Sequence, residues 1–235
     1  MNTYEKLINK HRGEPCFIFG AGPSLWHNMH EPFFKKIKQH GITIAVNSSV
    51  MAIPDFDYWI SNDALCRRWS WWKSVKDGSG IKIVRNSWGK YKAELEDFLF
   101  FSPRNTSEDI IDSTDKGLAY CSSVPSAIDL SIQMGCKNIF LFGVDHNEYK
   151  HKHHFWQFMK VDNQPKANPP AQGPWSQQKK VFDINVKAYE ALNKFAEEKG
   201  SKIYNVGWIY FGKHLTKIKT FEKIEICDIK KILRK

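Results

Sequence analysis

The sequence predicts an open α/β fold: a mostly parallel sheet flanked by helices, with a long lid loop. Three observations carry that expectation. Short apolar runs of aromatic and β-branched residues alternate with helical patterns, as in parallel α/β domains. The first run breaks at a glycine turn that leads straight into a helix start. Successive runs each end in small polar residues, GAGPS, NSS and SND. Ligands of open parallel sheets bind beyond the carboxyl ends of the strands. The pattern therefore predicts a site together with a fold.

Residues 2 to 11 read as a short amphipathic helix. Cys16-Phe17-Ile18-Phe19 is the kind of run that forms a strand buried on both faces. It ends at Gly20-Ala21-Gly22-Pro23-Ser24, and helix resumes at Leu25. Glycines let backbone approach a ligand, and the first helical amides point unpaired N–H groups at it. Pro23 suits the first turn, where its missing N–H costs nothing. Ser24 can donate its hydroxyl to a phosphate or simply cap the helix. An ordinary tight turn with no ligand explains the same five residues. The dinucleotide fingerprint is incomplete: its third glycine falls at Leu25, and the next strand, Ile42 to Val46, ends in Asn47-Ser48 and not in an acid. That argues against a nicotinamide dehydrogenase.

The helical stretch to His40 carries Phe33, Phe34 and Ile37, with Pro32 as an interruption. A third strand, Phe56 to Ile60, ends in Ser61-Asn62-Asp63. Asn and Ser at such ends can read a base or sugar through directional hydrogen bonds, although they are also common turn formers. Trp69, Trp71 and Trp72 lie among Arg67, Arg68 and Lys73. Aromatics among cations can stack bases and hold phosphates, but a helix with a buried Trp face is the favoured reading. Ile81 to Val84 is a strand, Tyr91 to Leu99 a helix, Phe98 to Phe101 a strand, and 102 to 117 a polar loop.

A second block runs from Tyr120 to Tyr149. Ser122 and Ser123 precede a helical pattern through Met134, again a hydroxyl-bearing helix start able to hold an anion. Asn138 to Phe142 is the most strand-like run of the chain and ends in Gly143-Val144-Asp145-His146. An Asp there is where a catalytic or binding carboxylate would sit. Residues 146 to 175 form a long irregular segment, the expected lid. It holds His151, His153 and His154, whose pKa range suits acid–base work; their spacing matches no regular zinc site, and no metal is expected. Ser176 to Lys199 reads as a helix with Val181, Ile184, Ala188, Leu192, Phe195 and Ala196 on its apolar stripe. Lys202 to Gly207 is the closing strand, and 208 to 235 is expected at the periphery.

The 235 residues fit one nucleotide-binding domain. A hydrophobic content of 42% with 26% charged residues is that of a globular protein, and no apolar run is long enough to span a membrane. The polar start lacks a signal-peptide core, and five cysteines without C-x-x-C spacing read as reduced thiols, so a cytoplasmic location is expected. A net charge of +10 suits an anionic partner, whether nucleotide, nucleic acid or acidic membrane, or serves only solubility.

Taken together, Gly20 to Leu25, Val46-Asn47, Ser61-Asn62-Asp63, Ser122-Ser123 and Ile139 to Asp145 resemble a Rossmann-type superfamily. One branch holds the bacterial sialyltransferases that use CMP-sialic acid. The other is the 6-hydroxymethylpterin pyrophosphokinase-like family, with related motility-accessory glycosyltransferases and phage proteins. The resemblance spans about residues 15 to 206. It implies nucleotide binding by Gly22, Ser24, Asn47, Asn62, Ser123, Gly143 and Asp145, joined as candidates by Gly20, Pro23, Ser48, Asp63 and Ser122. The sialyltransferases carry a histidine shortly before the helix that corresponds to Ser176–Lys199. Here that place reads Gln172-Gly173-Pro174-Trp175, so His146 or the His151–His154 cluster has the role, or the reaction differs.

The leading expectation is a nucleotide-sugar glycosyltransferase, with Asp145, His146, His153 and His154 as catalytic candidates and an acceptor that includes acidic polymers such as modified DNA. The alternatives are a pyrophosphokinase, with Mg²⁺ on Asp63 and Asp145, and a non-catalytic nucleotide or nucleic-acid binding module.

Overall fold

The computed structural model describes residues 3–104, 117–119, 121–166 and 175–234; of residues 90, 92, 93 and 175–181 it describes only the backbone. Its centre is an eight-stranded sheet in which every pairing is parallel. The chain lays down β1 (Cys16–Phe19), β2 (Ile42–Val46), β3 (Tyr58–Ser61), β4 (Ile81–Arg85) and β5 (Leu99–Phe101) outward in one direction. Two short segments, β6 (Pro103–Arg104) and β7 (Leu118–Ala119), pair with each other. The chain then returns to the other side of β1 with β8 (Asn138–Phe142), followed by β9 (Lys202–Val206). A hairpin of β10 (Ile209–Tyr210) and β11 (Lys213–His214) precedes the edge strand β12 (Glu222–Ile224). The order is β12-β9-β8-β1-β2-β3-β4-β5, so the direction of winding switches between β1 and β8.

The two-residue period of the strands sorts the core into two layers. Cys16, Ile18, Ile44, Ile60, Ile139 and Leu141 face α3 (Ser123–Gln133) and α4 (Trp175–Glu198) in a mostly aliphatic layer. Phe17, Phe19, Trp59, Phe100, Phe140 and Phe142 face the opposite way in a mostly aromatic one. That second face is covered by short pieces: α1 (Ser24–Asn28), α2 (Trp72–Asp77), α5 (Ile229–Ile232) and single 3₁₀ segments. Phe17 stacks on Phe140 at 5.2 Å and Phe19 on Phe142 at 5.3 Å, so large rings fill the volume that short covers leave.

Local departures from the sequence reading have physical causes. Residues 2 to 11 make only one 3₁₀ turn, Tyr4–Leu7, whose Tyr4 hydroxyl donates to the Gly117 carbonyl. The helix expected over Tyr91–Leu99 is displaced to a 3₁₀ segment, Asn86–Glu94, that packs Trp88 against Trp59 and Trp72. Trp71 and Trp72 are indeed buried. On α4, Ala188, Leu192, Phe195 and Ala196 of the expected stripe are buried, but Ile184 is 58% exposed and Asn185 beside it is buried. The segment expected at the periphery supplies the edge strand and also sends Thr216 into the core, where its hydroxyl donates to the Val144 carbonyl at 3.1 Å. Among the described residues, no helix is long and apolar enough to cross a membrane.

Candidate functional site

The turns that follow β1 and β8 meet at the switch point and are packed backbone on backbone. Gly20 donates to the Phe142 carbonyl and Gly22 to the Gly143 carbonyl, each at 2.7 Å. A Cβ on Gly22 would lie 2.5 Å from Asp145 Oδ2 and 2.7 Å from the Gly143 oxygen. Gly143 sits at φ +63°, in the left-handed region, facing Gly20 and Leu25. These glycines therefore serve the close approach of two protein segments. Gly22, expected to open the backbone to a ligand, also lines the cavity described next, and Gly20 does not.

Asp145 completes the joint. Its Oδ2 accepts the Ser24 N–H at 2.8 Å, so a protein carboxylate already meets the start of α1. Asp145 is 2% exposed, and burial pushes its carboxyl up to about 6, with hydrogen bonding from Ser24 opposing the rise. Its Oδ1 is buried and has no hydrogen-bond partner among the described residues.

Beside this joint, beyond the carboxyl ends of β1, β2 and β8, lies a cavity of about 180 Å³. The sequence candidates Gly22, Asn47, Ser122, Ser123, Gly143, Asp145, His146, His153 and His154 all line it. Ser122, Ser123 and Val124 bring the first turn of the eleven-residue α3 to the wall. Asn47 is held at φ +53° with its Oδ1 buried and unpartnered, while its carbonyl accepts the Trp59 indole N–H at 3.0 Å. A buried polar atom with no partner in the protein is the feature a ligand would explain.

His146 and His154 are neutral groups in this wall. His146 stacks on Phe182 at 4.3 Å, and its Nε2 lies 3.2 Å from the Tyr189 hydroxyl. Burial pulls its pKa down to about 4. His154 is pulled to about 4 by burial first and by neighbouring His153 second, opposed by a hydrogen bond with the Ala21 backbone. The Phe155 N–H also donates to the Ala21 carbonyl at 2.9 Å, which pins the lid to the glycine turn. His151 faces away, on an open groove that does not include the cavity.

An adjoining compartment of about 160 Å³ shares Ala21, Asn47 and His154 with the cavity and is walled by Trp69, Trp71 and Trp156. Ser48 and Asp63 line this second space. Gly20, Pro23, Ser24 and Asn62 line neither. Asn62 instead ties β3 to α3: its N–H donates to Ser123 Oγ at 2.9 Å and its side-chain amide to Ser126 Oγ at 3.0 Å. The sequence reading missed Phe182, Asn185 and Tyr189, which α4 presents to the cavity at spacings of three and four. That spacing was the available signal, hidden by the competing stripe through Ile184.

Asp63 and Asp145, the two carboxylates named for Mg²⁺, line adjoining compartments. Asp63 caps a 3₁₀ turn through the Leu65 N–H at 2.8 Å and lines the second compartment, whereas Asp145 lines the first. Among the described residues no group of three or more His, Cys, Asp or Glu is placed to hold a metal. Arg67, a candidate for nucleic-acid contact, pairs with Glu94 and stacks on Tyr91 at 3.7 Å. A larger hollow of about 700 Å³ lies at the amino ends of the strands, where His11 meets the Tyr58 hydroxyl and Lys38 pairs with Asp55 and Asp57. The Gln172–Pro174 stretch, where the resemblance asked for a histidine, falls outside the described residues.

No protein-family model matches this chain, and no curated protein sequence does. Among solved structures, the chain is similar in fold to the MAf glycosyltransferase from Magnetospirillum magneticum AMB-1, with a TM-score of 0.54 at 14% identity. The match covers 94% of this chain and 37% of that protein, so the chain spans little more than a third of its length. The sialyltransferase CstII from Campylobacter jejuni, solved with cytidine-5′-monophosphate, aligns with a TM-score of 0.45 at 10% identity, over 83% of this chain and 80% of that one. The first of these similarities agrees with a Rossmann-like α/β fold.

Proposed function

We propose that this protein is a nucleotide-sugar glycosyltransferase whose donor occupies the cavity between the α3 start and Asn47. The observation that carries the reading is the buried, unpaired Oδ1 of Asn47, set in the same cavity wall as the first turn of α3. The α3 amides at Ser123 and Val124 would receive the donor phosphate, because a helix start favours negative charge. Asn47 would bind the nucleoside, and the Trp-walled compartment would take the ring or sugar that extends past it.

The reaction breaks the bond between the sugar's anomeric carbon and the phosphate oxygen and forms one to an acceptor oxygen. The nucleotide leaves with the electron pair, and the acceptor's proton goes to a base. Asp145 fits that role best. It lines the cavity, its Oδ1 has no hydrogen-bond partner among the described residues, and a carboxyl pushed up to about 6 is ionised at pH 7 yet basic enough to take a proton. His146 and His154, neutral at that pH, would orient hydroxyls as hydrogen-bonding groups and would not act as cations.

The test is a thermal-shift screen against CMP, UDP, GDP and ATP with and without Mg²⁺, followed by hydrolysis of the matching nucleotide sugar. A shift without Mg²⁺ by one nucleotide, and turnover of its sugar, is expected. Turnover of ATP only with Mg²⁺ would overturn the reading in favour of pyrophosphoryl transfer.

A further inference from the structure

The donor cavity is one end of a longer track. It shares His146, Asn147 and Phe182 with a compartment of about 360 Å³ that Glu148, Asp183 and Lys217 also line. That compartment shares Asn147, Glu148 and Lys217 with an open groove of about 660 Å³.

Two hairpin tips build the groove. In one, Tyr149 and Lys152 exchange backbone hydrogen bonds at 2.9 and 3.0 Å, and Lys150 and His151 between them stand at φ +51° and +57°. In the other, β10 and β11 are joined by Phe211 at φ +47° and Gly212 at φ +73°. Two-residue turns with both central residues at positive φ favour Asn, Asp or Gly at the first position. A phenylalanine there is strained. Phe211 is nonetheless 87% exposed, so no burial in the fold offsets the strain. Its ring adjoins Tyr210 at 4.4 Å, and Tyr210 adjoins Tyr149 at 4.9 Å, which makes one aromatic platform. Lys150, Lys213 and Lys217 surround it.

Charge is ordered along the track. Lys150 and Lys213 line only the distal groove and Asp183 only the compartment nearest the donor, while Glu148 and Lys217 stand where the two meet. We propose that this track is the acceptor site and that its occupant is an acidic saccharide. The anionic substituent rests on the lysines, sugar faces lie on the rings of Tyr210 and Phe211, and the hydroxyl-bearing end enters between Glu148 and Asp183. Hydroxyls donate to carboxylates. A nucleic acid carries a phosphate at every step and would set one against those carboxylates. The direction of the track rests on the glycosyl-transfer reading; the groove's preference for an acidic sugar does not.

The experiment is an NMR titration of the full chain, with and without saturating CMP. The probes are tetrasaccharides bearing glucuronate, sialate or phosphate, a neutral tetrasaccharide, and a six-residue oligothymidylate. At least one acidic saccharide is expected to bind about tenfold more tightly than the neutral one. Phe211→Asn, which suits the turn and so folds, is expected to weaken that binding about tenfold. Lys150→Gln with Lys213→Gln should bring acidic binding down to the neutral level. Equal binding of acidic and neutral probes, tighter binding of the oligothymidylate, no saccharide binding, or indifference to Phe211→Asn would each overturn the proposal. A thermal shift by CMP, UDP, GDP or ATP in the same samples keeps the two readings apart. A nucleotide shift without saccharide binding sinks the acceptor alone, and saccharide binding without any nucleotide shift sinks the donor.

Discussion

Two helix starts in this molecule look alike in sequence and differ in what occupies them. α1 begins after Gly20-Ala21-Gly22-Pro23 and α3 after Cys121-Ser122. At α1 the Asp145 carboxylate takes the Ser24 amide, and Gly22 is closed against Gly143. At α3 the first turn faces a cavity, and the Ser123 hydroxyl accepts from Asn62 behind it. A glycine turn is thus as useful for packing two loops as for admitting a phosphate. The length of the helix matters too: α1 has five residues and α3 eleven, so α3 brings the larger aligned dipole to its start.

The sharpest way to break this contrast is Asp145→Asn. Turnover should fall by about 10²- to 10⁴-fold, measured as release of nucleotide from the donor. Stability at pH 7 should not fall, because the carboxamide oxygen still accepts the Ser24 N–H. Raised in the fold to about 6, the Asp145 carboxyl binds its proton more tightly folded than unfolded. Its contribution therefore decreases as pH rises from the ordinary carboxylate range to about 6, and the variant should lack that decline in pH-dependent melting. Unchanged turnover would leave Asp145 as a joint between loops and nothing more.

Gly22→Val tests the joint itself. The new side chain must displace Asp145 or the Gly143 carbonyl, and a loss of about 3 kcal/mol in denaturant unfolding is expected. A variant with wild-type stability would show that the two loops are not in contact.

Asn47→Gly acts on the other region. Glycine accepts φ +53° without strain, so the fold should be unharmed. Nucleotide affinity, read by calorimetry, should drop about tenfold with the amide gone. Undiminished affinity would remove Asn47 from the site.

The pH dependence of the same wall concerns His146. Burial holds its pKa near 4, below the usual value of 6.5, so the folded state resists protonation. Its contribution is present above 6.5 and is lost as pH falls toward 4. His146→Gln should reduce the slope of stability against pH in that window by about 1.4 kcal/mol per unit. An identical slope in chemical unfolding across pH 4 to 6.5 would mean that His146 is solvated.

The strands were legible because each is a short apolar run bounded by Gly, Asn, Ser or Asp, and burial on both faces demands just such runs. The ends of β1, β2 and β8 marked the site for the same reason. Helical faces were less legible. On α4, Val181 and Ile184 look like core, yet the structure exposes Ile184 and turns Asn185 and Tyr189 inward, where Tyr189 meets His146. Hydrophobic periodicity cannot see that a polar partner waits on the buried side.

By itself, then, the sequence determined the layered α/β architecture and the rim of residues from which the cavity is built, since both follow from local runs and the breaks between them. Tertiary structure alone decided which rim residues face the cavity and which hold the rim together. Asp145 lies 121 positions from Ser24, and Ser123 lies 61 from Asn62. No local pattern records a hydrogen bond across such distances. The same glycine, serine or carboxylate joins loops or faces the cavity according to which neighbour the fold brings to it.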